Sequence, residues 1–182
     1  MRYEIVLSGS GGQGLKLSGE ILGQAAAFHD KLNCVMTASY GAESRGGKSE
    51  AYVIVSKDEP VDYPEATYAD VIVALSQPGL QRQLGHLKNE TIIIADSDLV
   101  DTSVVSKGTV YKVPVNAMST QVMGSAISAN IVTLGALAAI TGMFKREGIE
   151  GVIKETFVGK IADKNLAAFD AGYQAGIKCI NG

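Results

Sequence analysis

Two stretches of the chain, Val71-Ile72-Val73-Ala74-Leu75 and Ile92-Ile93-Ile94-Ala95, are apolar without interruption. A strand with one wet face alternates polar and apolar residues. A strand apolar throughout needs cover on both faces, as inside a parallel or mixed sheet flanked by helices. Four further segments read as strands: Tyr3–Leu7, Cys34–Ala38, Ala51–Val55 and Val110–Val113.

Helical patterns lie between and after them. Leu15–Phe28 carries Leu17, Ile21 and Ala25 on one stripe, and Gly19 and Gly23 on a second row that lets the helix approach the sheet closely. Pro78 suits the first turn of a helix reaching about Leu87, and Glu147–Phe157 and Lys164–Ile177 also read as helices. Ala126–Met143 is apolar nearly all round, but Ser128, Asn130, Thr133, Thr141 and two glycines mark it as a buried or interface helix rather than a membrane span. Gly135 and Ala139, one turn apart, suit close helix packing. The expected fold is a three-layer α/β/α arrangement with a mostly parallel or mixed sheet, Rossmann-like at its N-terminus, forming a single domain over residues 1–182. The link from Tyr40 to Ser49 joins two strands with no helix between them, so those strands are expected to be antiparallel neighbours.

The first candidate site is the run Gly9-Ser10-Gly11-Gly12-Gln13-Gly14, which follows the first strand and opens the first helix. Backbone N–H groups and the positive end of a helix dipole converge at such a turn and can hold a phosphate. Gly9, Gly11 and Gly14 keep the G-x-G-x-x-G spacing of dinucleotide-binding folds. Without a ligand the same run is a tight strand-to-helix turn. A dinucleotide fold also places a carboxylate at the end of its second strand, to bind the ribose. Here that strand runs into Ser39-Tyr40, and the nearest carboxylate is Glu43 within the next loop, which counts against ordinary NAD binding.

That loop, Ser39 to Ser49, is the second candidate. Arg45 offers a planar donor fork for phosphate or carboxylate, and Gly46-Gly47 lets a ligand approach the backbone. The competing reading is a solvated turn with Arg45 paired to an acid. In an α/β sheet the two loops can face one crevice.

Other chemistry finds little support. His29 and His86 read as helix-terminal surface residues, and Asp96-Ser97-Asp98 as a carboxylate turn after a strand rather than a metal site. Cys34 and Cys179 lie far apart and form no Cys-x-x-Cys, so no zinc or iron–sulfur site is expected from this chain alone. The net charge is −3 with no basic patch, so nucleic acid is not an expected partner. No secretory leader pattern is visible at Met1-Arg2, and the expected location is cytoplasmic, with no membrane association. Asn130, nearly alone in its apolar helix, needs a hydrogen-bonding partner if buried.

Taken in order, Gly9–Gly14, then Ser39-Tyr40-Gly41-Ala42-Glu43-Ser44-Arg45-Gly46-Gly47, then Ala69–Ser76, then Ala129-Asn130-Ile131-Val132-Thr133-Leu134-Gly135-Ala136-Leu137 resemble the gamma subunit of 2-oxoacid:ferredoxin oxidoreductases. Nearly the whole chain is covered. The resemblance implies one subunit of a complex with alpha, beta and delta-type partners and ferredoxin as electron acceptor. Thiamine diphosphate, magnesium and iron–sulfur clusters would sit on those partners, and the isolated chain would be inactive. The implied reaction is oxidative decarboxylation of a 2-oxoacid with coenzyme A (CoA), giving acyl-CoA, carbon dioxide and reduced ferredoxin. Within that frame Gly9, Ser10, Gly11, Gly12, Gln13, Gly14, Tyr40, Glu43, Arg45, Gly46 and Gly47 are the candidate residues for CoA. No catalytic residue and no metal ligand is assigned to this chain. The alternatives are a stand-alone Rossmann-like nucleotide-binding protein and a purely structural subunit. The length and the Ser-Tyr-Gly-Ala-Glu loop lean toward a 2-oxoglutarate or branched-chain enzyme.

Overall fold

The computed structural model of the chain describes residues 1–41, 47–61 and 67–182. All six expected strands form, and each extends beyond its apolar centre except the fourth, which starts earlier and stops one residue short. They are β1 (Arg2–Ser10), β2 (Asn33–Tyr40), β3 (Lys48–Ser56), β4 (Ala69–Ala74), β5 (Leu87–Asp96) and β6 (Thr109–Val113). They build one mixed sheet in the order β2-β3-β1-β4-β5-β6. Strands β1, β4, β5 and β6 are parallel, while β3 runs antiparallel to both β1 and β2. The β2–β3 link therefore joins antiparallel neighbours, as its lack of a helix requires.

The two faces carry unequal layers. Ile5, Leu7, Val71, Val73 and Ile94 pack against α1 (Leu15–Gln24), α4 (Ala129–Thr141), α5 (Arg146–Thr156) and α6 (Lys160–Asn181). Val6, Ile72, Ala74 and Ile93 face the other way, onto Leu80 of α2 (Gln77–Gln83) and Val100. This period-two division explains the unbroken apolar runs in β4 and β5, which are covered on both sides.

Several helix boundaries differ from the sequence reading. The first helix changes at Gln24 into a wide turn, Ala25–His29, where Asp30 N–H reaches the Ala25 carbonyl. Helix α2 ends at Gln83, passes through a tight turn at Leu84–His86, and Leu87 begins β5 instead of ending a helix. The Thr91 hydroxyl, bonded to the Ala69 carbonyl, also accepts from Lys88 N–H and draws that segment onto the sheet. Ala126–Met143 divides into a short 3-10 turn, Ala126–Ser128, and α4, which ends in the left-handed Gly142.

Helix α3 (Val115–Met123) was not anticipated. Its cap comes from a distant residue: the buried Asp96 carboxylate accepts from Asn116 N–H at 3.0 Å and Asn116 Nδ2 at 2.7 Å. The Gly135 reading holds in geometry. A Cβ there would overlap the Phe169 carbonyl, one on Gly172 would overlap that of Val132, and Ala139 meets Gly176, so α4 and α6 touch backbone to backbone.

Candidate functional site

Chain direction sets where a ligand can sit. From β1 the chain turns through α1 toward the β2 edge; from its parallel neighbour β4 it turns through α2 toward β6. Ligands of open α/β sheets bind outside the carboxyl ends of the strands at such a switch point. The glycine run Gly9–Gly14 lies at this place, between the end of β1 and the start of α1.

The loop is built by specific contacts. Gly12 and Gly14 take φ values of 90° and 72°, in the left-handed region that glycine tolerates without a Cβ penalty. Gly14 is the N-cap of α1 and supplies no side chain to its first amides. Gly11, Gly12 and Gly14 are exposed, whereas Gly9 is buried against Gln13. The Gln13 amide spans the switch point: its Oε1 accepts from Ser10 N–H at 2.7 Å and its Nε2 donates to the Leu75 carbonyl at 2.8 Å. That amide thus clasps the ends of β1 and β4, in the crevice where a dinucleotide fold leaves room for a pyrophosphate.

Asn130 finds its partner here. Its Nδ2 donates to the Gly14 carbonyl at 3.2 Å, bracing the end of the loop from the first turn of α4. A Cβ on Gly14 would stand 2.7 Å from that same nitrogen. The two segments of the sequence resemblance, glycine loop and Asn130 helix, are therefore in contact.

The second loop joins the first through its backbone. Gly11 N–H donates to the Gly47 carbonyl at 2.8 Å, and Gly41 N–H donates to the Lys48 carbonyl at 2.8 Å. Ser10 stands opposite Lys48 in the β1–β3 register. Tyr40, at the end of β2, exposes 58% of its surface. The candidates Glu43, Arg45 and Gly46 lie outside the described residues, as do Ala42 and Ser44.

One cluster beneath the loop escaped the sequence reading. Glu50 is 2% exposed. Its Oε1 accepts from Arg82 Nε at 2.8 Å and Gln83 Nε2 at 3.0 Å, and its Oε2 from Tyr52 at 2.6 Å, with Lys48 Nζ at 3.0 Å. The Ser8 hydroxyl lies between Oε1 and the Gly79 carbonyl. Arg82 also donates from Nη2 to the Gly9 carbonyl at 2.7 Å, tying the cluster to the loop. Burial raises the Glu50 pKa, but the hydrogen bonds from Tyr52, Arg82 and Lys48, with the Lys48 charge, outweigh it and hold the carboxyl below the usual range. A signal was present: Lys48, Glu50 and Tyr52 alternate with Ser49, Ala51 and Val53, one polar face of a strand whose sequence reading began only at Ala51.

Elsewhere the candidates resolve into structure. Asp96 caps the turn at Asp98 and Leu99 as well as α3. His86 Nδ1 lies 3.0 Å from the Thr67 carbonyl, and His29 packs against Gly148 and Gly151 of α5. Cys34 is on the edge strand β2, while Cys179 reaches the Lys112 carbonyl at the opposite edge, so the two thiols cannot share a cluster. Among the described residues no group of three or more His, Cys, Asp or Glu could hold a metal ion, and no helix is long and apolar enough to cross a membrane.

Comparison with known proteins agrees with this geometry. Residues 4–175 match the family of pyruvate ferredoxin/flavodoxin oxidoreductases. A 2-oxoglutarate synthase subunit, KorC of Methanocaldococcus jannaschii, is 41% identical over 176 residues, covering 96% of this chain and 94% of that one. The gamma subunit of a keto/oxoacid ferredoxin oxidoreductase from Geobacter sulfurreducens superposes with a TM-score of 0.88 at 35% identity over 98% of both chains. A 2-oxoglutarate:ferredoxin oxidoreductase from Magnetococcus marinus, solved with 2-oxoglutarate, CoA and succinyl-CoA bound, shares the fold at a TM-score of 0.87 and 23% identity, over 96% of this chain and 31% of that longer one. Matched along almost its whole length in sequence and in fold, the chain belongs to the pyruvate ferredoxin/flavodoxin oxidoreductase family, as a gamma-type subunit.

Proposed function

We propose that this chain serves a 2-oxoglutarate:ferredoxin oxidoreductase complex, and that its two glycine loops form one wall of the CoA site. The observation that carries the reading is the Gly11-to-Gly47 hydrogen bond. It joins both motif loops into one surface at the switch point, with the exposed Gly12 and Gly14 and the ring of Tyr40 on it. CoA, with its pyrophosphate and ribose phosphate, is the reaction component that such a surface fits. The name of the Methanocaldococcus relative and the ligands of the Magnetococcus enzyme support 2-oxoglutarate as the oxoacid and succinyl-CoA as the product.

The described residues do not fit an iron–sulfur cluster, since the two cysteines sit at opposite edges of the sheet. Thiamine diphosphate, magnesium and the clusters are assigned to alpha, beta and delta-type partners, which pass electrons to ferredoxin. This chain contributes binding and assembly, and is inactive alone. In the Magnetococcus enzyme the same fold is about a third of a longer chain, which supports a fixed place for this subunit beside its partners.

The test is Arg45→Ala in the purified complex. If Arg45 contacts CoA, the KM for CoA rises about tenfold, the size of one charge-assisted hydrogen bond. Unchanged KM and kcat sink the CoA reading. A loss of subunit from the complex at unchanged KM shows that the loop serves assembly instead.

A further inference from the structure

The two edges of the sheet are finished differently. At one edge β6 is five residues long and carries Lys112, whose carbonyl is taken by Cys179 Sγ of α6 at 3.6 Å. A short strand, an edge lysine and a covering helix are devices that keep an edge from pairing with another chain. Strand β2 forms the other edge. It runs for eight residues, Asn33-Cys34-Val35-Met36-Thr37-Ala38-Ser39-Tyr40, with no charge and no proline. Its register to β3 is continuous from Asn33 to Tyr40, without a bulge. Among the described residues no strand pairs with its outer side.

The ladder determines which main-chain groups that outer side presents. Gly41 N–H donates to the Lys48 carbonyl, one step beyond the Tyr40–Ser49 pair. In an antiparallel ladder, residues that bond to the neighbouring strand alternate with residues whose N–H and C=O point away. Val35, Thr37 and Ser39 therefore turn their main chain toward β3, while Cys34, Met36, Ala38 and Tyr40 turn theirs outward. The side chains of Cys34 and Met36 lie against Gly23 and Gly19, so these four residues share the α1 face. Such a row is complementary to itself when turned about a two-fold axis. With the axis at Thr37, Cys34 stands opposite Tyr40 and Met36 opposite Ala38, and every outward group is used, in about eight hydrogen bonds. Sliding the copy by two residues either way leaves an outward residue of the strand unmatched. The chosen register sets no charge against a like charge, and it places threonine opposite threonine, a favourable cross-strand pair. It also lays the exposed ring of Tyr40 beside the partly buried Cys34 of the copy.

We propose that β2 pairs antiparallel with β2 of a second copy of this chain, across a two-fold axis at Thr37, and joins the two six-stranded sheets into one. Both α1 helices then lie on the same face of the joint sheet. The inference does not depend on the CoA reading, because it rests on the main chain of the outer edge.

The experiment has two arms. Sedimentation of the full chain from about 1 to 100 μM reads self-association. The wild-type chain is expected to form dimers in this range. Ala38→Pro removes only an outward N–H, so the ladder to β3 stands. It should raise the dimer dissociation constant about thirtyfold, the loss of two hydrogen bonds per dimer, with an unchanged circular dichroism spectrum. The second arm is a cross-link. Thr37→Cys, in a chain also carrying Cys34→Ala and Cys179→Ala, puts two thiols opposite each other at a Cα separation of about 4.5 Å, within disulfide range. Oxidation should link two copies of this chain, in isolation and in the purified complex alike. Should Ala38→Pro fail to fold, the cross-link decides alone. A monomer throughout the range with no cross-link overturns the proposal. So does a dimer that Ala38→Pro leaves unchanged, which must use another face. A Thr37→Cys thiol that links to a different subunit of the complex assigns the edge to that subunit, and overturns it as well.

Discussion

The contact between Gly14 and Asn130 can be measured as a coupling energy. Two separate terms oppose Gly14→Ala. The residue sits at φ 72°, where a Cβ costs about 1–2 kcal/mol. The new Cβ would also stand 2.7 Å from Asn130 Nδ2 and 2.9 Å from its Cγ, a close packing conflict of about 1–3 kcal/mol. Together they predict a loss of about 3 kcal/mol, near the middle of that range. Asn130→Ala alone removes one hydrogen bond of 3.2 Å, but the Gly14 carbonyl keeps its bond from Ser18 N–H. Its cost is therefore at the lower end, about 1 kcal/mol. In the double variant the packing conflict is gone and the φ term remains. The double variant should then be more stable than the sum of the single effects by about 1–2 kcal/mol. The chain has no tryptophan, so urea unfolding is followed by circular dichroism. With m of about 2 kcal/mol/M, the Gly14→Ala midpoint falls by about 1.5 M. Strict additivity of the two substitutions would refute the argument, because it would mean that Asn130 does not rest against the loop.

Two predictions concern titration. Burial pushes the Cys34 thiol up to about 11, so at pH 8 about one molecule in a thousand carries the thiolate. Alkylation of Cys34 in the native protein should be about a hundredfold slower than that of a free thiol, and should accelerate as pH rises toward 11. Rapid labelling of Cys34 at pH 8, mapped by mass spectrometry, contradicts the burial. The second concerns Glu50, whose folded pKa is depressed despite burial because Tyr52, Arg82 and Lys48 hold the charged form. Its contribution is complete above the unfolded value, about 4.3, and is lost as pH falls through the folded value. Between the unfolded and the folded value the native protein loses stability more steeply than Glu50→Gln, which has no proton to bind there. Parallel acid profiles of the two proteins would show that the carboxylate is not held in this way.

The parts of the fold legible in the sequence were those set by local pattern. Unbroken apolar runs named β4 and β5, and the absence of a helix after Tyr40 gave the antiparallel β2–β3 pair. Gly19 and Gly23 on α1, and Gly135 and Ala139 on α4, announce close packing, and Met36 lies against Gly19 and Phe169 against Gly135. What stayed illegible depends on partners far along the chain. Helix α3 owes its start to Asp96, twenty residues before Asn116, and of its short stripe Val115, Met118 and Val122 only Val115 is fully buried. Leu87 reads as the end of a helix until the Ala69–Thr91 contact is known.

The site divides along the same line, and the division sharpens what the glycine run means. Spacing alone assigns it to a dinucleotide, and the missing acid after β2 argues against that. Gln13 gives the structural counterpart of the missing acid. Its amide, committed to Ser10 and Leu75, stands between the ends of β1 and β4, where a nucleotide would cross. A ligand of this loop must then approach from the side that remains open, over Gly11 and Gly12 and toward Gly47. That is the direction of β3, where Lys48 and Glu50 form an ion pair beside the loop. Closing the usual crevice and placing cations beside it are two halves of one change. Together they turn a nucleotide-binding turn into a surface that faces the neighbouring strand β3.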